Sequence, residues 1–531
     1  MLLFTLIIFV ISLYCSKNPV SGNNSPVITS IIASKSSVNL NEVISVRALY
    51  FDTDGDSLVT KWSSTGGAFS KIERDSVVWI APDTMGSSTI ILEIDDLQGG
   101  RDIDSVVINV ANRPPIVSEV TLYPTNVFLD NKAVLRAVAL DPDGQAMIYT
   151  WSATRDDNAI GSFISTEADS AVWIAPSTPG NVKIMVVVRD IKGGEATFIK
   201  NIKVYSAIGS VWTSDTQNHR VVMLSSTGDV LYSLDGFSYP EGIDLNWNDR
   251  TVLVADYGNN RIVKISKDGN IEKSIPGFIY PHSVSIWSFD GSAWISQNSD
   301  SNQVVKLSPD GMVTKRINGF NNPKSISVNQ KNGDIWIADT GNNRIVKLLS
   351  SISDNYDINN PPSTQTKHTI FTLWNNKEFS EPTGLSVNST TGDCWFADKR
   401  NNRVIRILVN GSKINGVIGF LKPENVSVND KNEDVWVADT GNNRVIQIKR
   451  GIFASEVIYD VSSNGHLGFH EIVSGNFRQP YSVSVNSNEG EVWFTAESSV
   501  VKIYDSGGEL ETMKIIGFNT SRGIVVNPGF K

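Results

Sequence analysis

At 531 residues, with 40% hydrophobic and 19% charged residues, the chain is long enough for three or four domains and has ample material for buried cores. Its net charge of −10 argues against nucleic acid as a partner, because the nearest basic patch, Lys399-Arg400 with Arg403 and Arg406, is short and diluted by acids. The two cysteines, Cys15 and Cys394, rule out an intrachain disulfide framework, and Cys394 beside Trp395 reads as a buried, inert thiol.

In chain order, residues 2–13 (LLFTLIIFVISL) form an uncharged apolar run. The run is shorter than the roughly 20 residues a spanning helix needs and fits the apolar segment of an export signal. Ser12-Leu13-Tyr14-Cys15, followed by the polar Ser16-Lys17-Asn18-Pro19, resembles a bacterial lipoprotein signal over residues 1–15. That resemblance implies lipidation at Cys15, export, and anchorage in the cell envelope or at the cell surface; an ordinary export signal is the alternative. A polar linker, 16–25, follows.

Two matching segments come next, 26–111 and 112–206. The first carries Asp52-Thr53-Asp54-Gly55-Asp56, Trp62-Ser63, Trp79-Ile80-Ala81-Pro82 and Gly99-Gly100; the second carries Asp141-Pro142-Asp143-Gly144, Trp151-Ser152, Trp173-Ile174-Ala175-Pro176 and Gly193-Gly194. Runs such as Ile90-Ile91-Leu92 between regular turn signals predict a β-sandwich made twice. The pattern resembles the PKD-like and related immunoglobulin-like domains of bacterial surface proteins, which implies spacer or adhesive modules. Asp52, Asp54 and Asp56 offer oxygens to Ca²⁺, but with too few ligands identifiable an Asx-stabilised turn is preferred.

Residues 207–531 repeat at a spacing of about 41 residues, the length of a four-stranded propeller blade. The clearest copies are Ile335-Trp336-Ile337-Ala338-Asp339-Thr340-Gly341-Asn342-Asn343-Arg344 and the same phrase from Val435 to Arg444. Weaker copies begin at Val211, Val252, Ala293, Cys394 and Val492, and inner strands open at Pro240, Pro281, Pro323, Pro382, Pro423 and Pro480. The phrase resembles the NHL-repeat family, which implies a β-propeller. The array starts on a second strand, Val211-Trp212, and ends on an inner strand, 524–527. Their pairing would close seven blades. The expected fold class is therefore all-β: two tandem immunoglobulin-like sandwiches followed by a seven-bladed propeller closed by the C-terminal strand.

Asp256, Asp339, Asp398 and Asp439 each precede a tight turn and are read as acceptors for that turn's own N–H groups, with Arg261, Arg344, Arg403 and Arg444 in the same framework. The long segment 451–479 is read as extending a crossover between blades, and 350–368 as joining a third to a fourth strand on the other face. Of the five histidines, His282 follows Pro281 in a phrase resembling that of streptogramin lyase-like propellers. His219, His466 and His470 are expected on its face, making these four the candidate binding residues. No spacing specifies a metal site or a catalytic constellation, so no catalytic residue or metal ligand is assigned, although Ca²⁺ or Zn²⁺ would be the metals such groups take. The leading reading is a non-catalytic, monomeric, lipid-anchored envelope protein whose propeller binds a protein, peptide or glycan. The alternative is an exported propeller enzyme, a metal-dependent lyase or hydrolase.

Overall fold

The computed structural model describes residues 22–298, 302–361, 367–374, 376–411, 414–450, 459–460, 470–474, 477–505 and 510–528. The leader, Cys15 and His466 lie outside the described residues. The chain divides into two compact units, Met1–Lys203 and Val204–Lys531. Among the described residues no helix is long and apolar enough to cross a membrane.

The first unit is built from paired sheets. In its first half, Val27–Ala33, Val43–Phe51, Ser76–Ile80 and Ala68–Ile72 form one sheet, and Ser37–Asn39, Arg101–Ala111, Gly86–Asp95 and Val59–Ser64 form the other. Strand alternation drives the assembly: in Gly86–Asp95 the side chains of Ile90, Leu92 and Ile94 are fully buried, joining Trp62 and Trp79 in one core, while their neighbours face outward. The second half repeats the plan around Trp151 and Trp173. The acidic turns are Asx turns, as expected. Asp52 Oδ1 accepts the N–H groups of Asp54 (2.8 Å) and Asp56 (3.2 Å), and Asp141 Oδ1 accepts those of Asp143 (2.8 Å) and Gln145 (3.1 Å). Gly55 and Gly144 take the positive φ that these turns require.

Among the described residues the second unit holds seven sheets built on four antiparallel strands, two of them extended by a short fifth strand, and one two-stranded ribbon, Leu373–Trp374 with Lys377–Glu378. The first orders Val230–Leu234, Arg220–Leu224, Val211–Asp215 and, as its inner strand, Gly523–Val526 from the far end of the chain. Val211 pairs with Val526 and Ser214 with Gly523. Gly209 N–H donates to Asn527 O at 2.9 Å and Asn527 N–H to Ser210 O at 2.8 Å, so the closing strand is zipped at its last residue too. The other inner strands include Pro240–Leu245, Pro281–Trp287, Pro323–Val328 and Pro382–Val387. Second strands are buried along their whole length, which explains their unbroken apolar runs. Their tryptophans lie under cations of the third strand: Lys347 is 5.4 Å from the Trp336 ring and Arg406 5.6 Å from that of Trp395. Cys394 is fully buried between sheets, and burial pushes its thiol well up, as an inert core thiol requires.

One expectation is overturned. The segment after Arg444–Ile448 returns as the outer strand His470–Ser474, with Ile448 paired to His470 and Arg444 to Ser474. The insert therefore joins the third strand to the fourth, like 350–368, and not one sheet to the next. Antiparallel pairing then puts His470 at the end of the sheet away from the Asp439–Arg444 turn, on the opposite face from His282. Outer strands carry no repeated phrase, so the sequence does not mark where this one begins. The two inserts also share a device: Tyr356–Asp357 and Tyr459–Asp460 each add a short parallel strand to the outer edge of the preceding sheet, at Ile317–Asn318 and Val417–Ile418. Covering an exposed edge satisfies its free backbone groups.

Candidate site at the mouth of the central channel

The turn between second and third strands is a clamp. Asp256, fully buried, accepts Asn259 Nδ2 (2.9 Å) and Arg261 Nε (2.6 Å) on one oxygen and the N–H of Ser238 (2.7 Å) on the other. Asp339, Asp398 and Asp439 repeat the pattern with Asn321, Ser380 and Leu421 as backbone donors. This corrects the expected partner: the backbone donor lies not in the turn itself but in the crossover arriving 18 residues earlier. The arginine completes the tie, as Arg261 Nη2 donates to Gly236 O at 2.6 Å and Arg444 Nη2 to Gly419 O at 2.8 Å. Asp215 does the same across the chain closure, accepting Asn519 N–H at 2.8 Å and Arg220 Nε at 2.7 Å. A buried carboxylate so fully paired holds the crossover against its own sheet.

A second clamp links neighbouring sheets. The last asparagine of each turn accepts an N–H from the residue that precedes the next inner-strand proline: Asn260 from Tyr280 (2.8 Å), Asn343 from Glu381 (2.9 Å) and Asn443 from Gln479 (2.8 Å). His219 stands in that series, its Nδ1 accepting Tyr239 N–H at 3.2 Å. Its left-handed φ of 57° matches those of the asparagines, so His219 does an asparagine's work with a ring nitrogen. Of the three candidate histidines among the described residues, His282 alone is placed at the channel.

The residues after the six inner-strand prolines, with Arg522 after Ser521 on the closing strand, ring the channel mouth on the clamp face. Here the repeat breaks: the seven positions hold Glu241, His282, Lys324, Thr383, Glu424, Tyr481 and Arg522. They surround a cavity of about 480 Å³. His282 Nδ1 lies 2.7 Å from Glu241 Oε2 without the alignment of a hydrogen bond, and Arg522 Nη1 lies 3.5 Å from Glu241 Oε1. Lys399, reaching in from a clamp turn, pairs with Glu424. Lys324 has no ion-pair partner among the described residues, and the buried Thr383 Oγ1 has no hydrogen-bond partner. Tyr257 stands edge-on to His282 with ring centres 6.0 Å apart, and its other neighbour is Tyr280 at 5.0 Å. Burial, and after it the charge of Glu241, holds the Tyr257 hydroxyl above its usual pKa; burial does the same for Tyr481. Only His282 was singled out from sequence. The others carried a legible signal, since this one position varies among copies of a repeat that otherwise agrees.

Below the mouth, the channel narrows to a belt. Ser285, Ser327, Ser386, Ser427 and Ser484 each accept, on Oγ, the N–H of a residue on the next inner strand, for example Val328 at 3.1 Å and Val526 at 3.2 Å. The closing strand carries Val525 at the equivalent position and has no such acceptor. On the next strand stands Asp244 in place of serine, and it takes both the N–H of Ile286 (2.7 Å) and that of Leu245 (2.9 Å). Its second oxygen thus supplies the acceptor Val525 lacks. Burial pushes the Asp244 pKa up to about 6, against the pull of those two N–H groups and the Ser285 hydroxyl. Beyond the belt a second cavity of about 710 Å³ opens among Val328, Val387, Val428 and Trp247.

In the first unit, Asp52, Asp56 and Asp96 bring carboxylate oxygens within 4.8 Å of one another, the group of three among the described residues able to hold a metal ion. Burial and then the charges of Asp52, Asp54 and Asp96 raise the Asp56 pKa, and Asp52 Oδ2 is buried without a partner. Such oxygens suit Ca²⁺. The second half has Gln145 in place of the third carboxylate.

The NHL repeat model matches residues 237–265, 320–348 and 420–448, so the chain carries three NHL repeats. No curated protein sequence matches the chain. Among solved structures, it is similar to a functionally unknown protein from Desulfotomaculum acetoxidans (14% identity, 60% of this chain and 98% of that one, TM-score 0.46). It is also similar to catalytically inactive virginiamycin B lyase from Staphylococcus aureus with quinupristin (14%, 66% and 97%, TM-score 0.41). A third similar structure is the hydrazine synthase of Kuenenia stuttgartiensis (12%, 57% and 92%, TM-score 0.41).

Proposed function

We propose that this chain is an exported envelope protein, lipid-anchored through Cys15, whose propeller is a binding scaffold for a protein, peptide or glycan at the channel mouth. In this reading the seven sheets are the seven blades of a closed ring. The two sandwiches are immunoglobulin-like, PKD-like domains that stand between anchor and propeller in the chain. One observation carries the binding reading: seven equivalent positions, set within an otherwise uniform repeat, hold six different kinds of side chain around one cavity. Backbone requirements would keep them alike, so the variation serves something in the cavity. The test is capture of envelope components by the full chain and by a variant combining Glu241→Gln, Lys324→Gln and Arg522→Gln. Binding that survives all three substitutions would remove the mouth from the proposal. Incorporation of a labelled fatty acid, lost in Cys15→Ser, tests the anchor.

A second reading, an exported propeller enzyme, is favoured by the Glu241–His282 contact, since a carboxylate beside an imidazole can move a proton within a polar cavity. Turnover of a candidate substrate, abolished by His282→Ala without loss of fold, would select it.

A further inference from the structure

We infer that the channel mouth takes an anionic sugar, with a sugar ring on the tyrosine arc and the acidic group at Lys324 and Thr383. This rests on the binding reading above and names its ligand.

The charge balance comes first. The chain as a whole is acidic, at −10, and the cavity sets Lys324, Lys399 and Arg522 against Glu241, Glu424 and the deeper Asp244. Both glutamates are already engaged, by Arg522 with His282 and by Lys399. Lys324 is left over. On the adjoining inner strand, tied to it by Leu385 N–H on Ser325 Oγ at 3.2 Å, stands Thr383, 4% exposed and with its hydroxyl unpartnered. An unpaired ammonium and a buried hydroxyl without a partner, on adjoining strands, are two donors that an anion would satisfy.

The aromatic arc comes second. Tyr239 and Tyr280 have φ of 47° and 48°. At the equivalent positions of the other sheets stand Asn322, Glu381, Lys422, Gln479 and Thr520, all likewise left-handed. Such a backbone disfavours a bulky side chain, and the clamp there uses only the N–H, so the fold does not call for tyrosine. Both rings are nonetheless exposed, at 44% and 45%, and are braced by His219 and Tyr257. Flat exposed rings with polar edges suit the C–H face of a sugar, whose hydroxyls then reach hydrogen-bonding groups.

The third observation argues against a peptide. The seven ring positions carry no aliphatic side chain and the tier beneath them is glycine, serine and asparagine; aliphatic residues such as Ile243, Val284 and Val525 join the lining only deeper. Peptide ligands draw most of their affinity from apolar anchors in dry pockets, and the first groups a ligand meets at this mouth are polar or charged.

The experiment is calorimetric titration of the full chain with four probes of similar length: an oligogalacturonate, a sulfated chondroitin oligosaccharide, a neutral cello-oligosaccharide and a polyglutamate peptide. At least one acidic oligosaccharide should bind with one-to-one stoichiometry, and the neutral one about tenfold more weakly or not at all, since a charge-assisted contact is worth about that factor. Lys324→Gln and Tyr280→Ala should each weaken binding about tenfold at unchanged melting temperature. The two acidic arms distinguish carboxylate from sulfate. Equal binding of the neutral sugar, indifference to Lys324→Gln, binding of the peptide alone, or no binding of any probe overturns the inference. If envelope capture still depends on the mouth, the broader reading survives that failure; if it does not, both fall.

Discussion

The clamp and the mouth are built from the same strands a few residues apart, yet one repeats and the other does not. At the clamp, Asp215, Asp256, Asp339, Asp398 and Asp439 are all fully buried, and each is bonded to an arginine, an asparagine and a crossover N–H. At the mouth the same face shows Glu, His, Lys, Thr, Glu, Tyr and Arg in turn. A site that must hold the chain in place tolerates one solution. A site that faces a cavity is held by its neighbours and is left open to recognition. If that division is right, substitutions at the clamp should cost stability, and substitutions at the mouth should cost binding.

The largest effect should come from removing residues 520–531, which takes away the inner strand Gly523–Val526 with the buried Ile524, Val525 and Val526. Burial of three such side chains is worth roughly 5 kcal/mol or more, and the Val211–Asp215 edge would be left bare. Calorimetry should show a lower, broader transition for the propeller; an unchanged, equally cooperative one would break the account of closure.

Next is Asp439→Ala, which leaves Arg444 and the Leu421 N–H buried without their acceptor. A loss of roughly 3–5 kcal/mol is expected in chemical denaturation, against less than about 0.5 kcal/mol for Lys324→Gln. Similar costs for the two would erase the division.

Asp244 belongs to the belt, between clamp and mouth. Its folded pKa, about 6, lies above its ordinary value of 3.8, so folding favours the protonated acid. Its contribution is fully present below about pH 4 and is lost as pH rises through about 6, amounting to about 3 kcal/mol. Stability of the wild type relative to Asp244→Ser, followed in urea across that window, should fall accordingly. A difference that does not vary with pH would mean the carboxylate titrates normally.

The smallest effect is expected at His219→Asn. The amide oxygen can take over the Tyr239 N–H, so stability should stay within about 0.5 kcal/mol. A larger loss would show that the imidazole does more than imitate asparagine.

Much of this was legible in the residues. The alternation around Trp62 and Trp79 predicts the paired sheets, the Asp-to-Arg phrase predicts the clamp turns, and the leftover strands at the two ends of the array predict their pairing. The long insert after Ile448 was misread because the outer strand His470–Ser474 carries no repeated residue, and so its start cannot be counted. His219 drew attention as chemistry because it departs from the repeat, although its left-handed backbone gives it an asparagine's role. The partner of each clamp aspartate was also misassigned, since a donor 18 residues upstream is invisible to a reading of local turns.

Sequence by itself determined the all-β class, the repeat and the local clamp chemistry, because each depends on residues within one strand or turn and recurs with a fixed period. Only the tertiary structure decided which side chains share the channel mouth. Arg522 and Glu241 lie 281 positions apart and meet because the closing strand lies beside Pro240–Leu245. Periodicity places a residue on its own strand; which distant residue becomes its neighbour depends on how whole sheets pack around the channel.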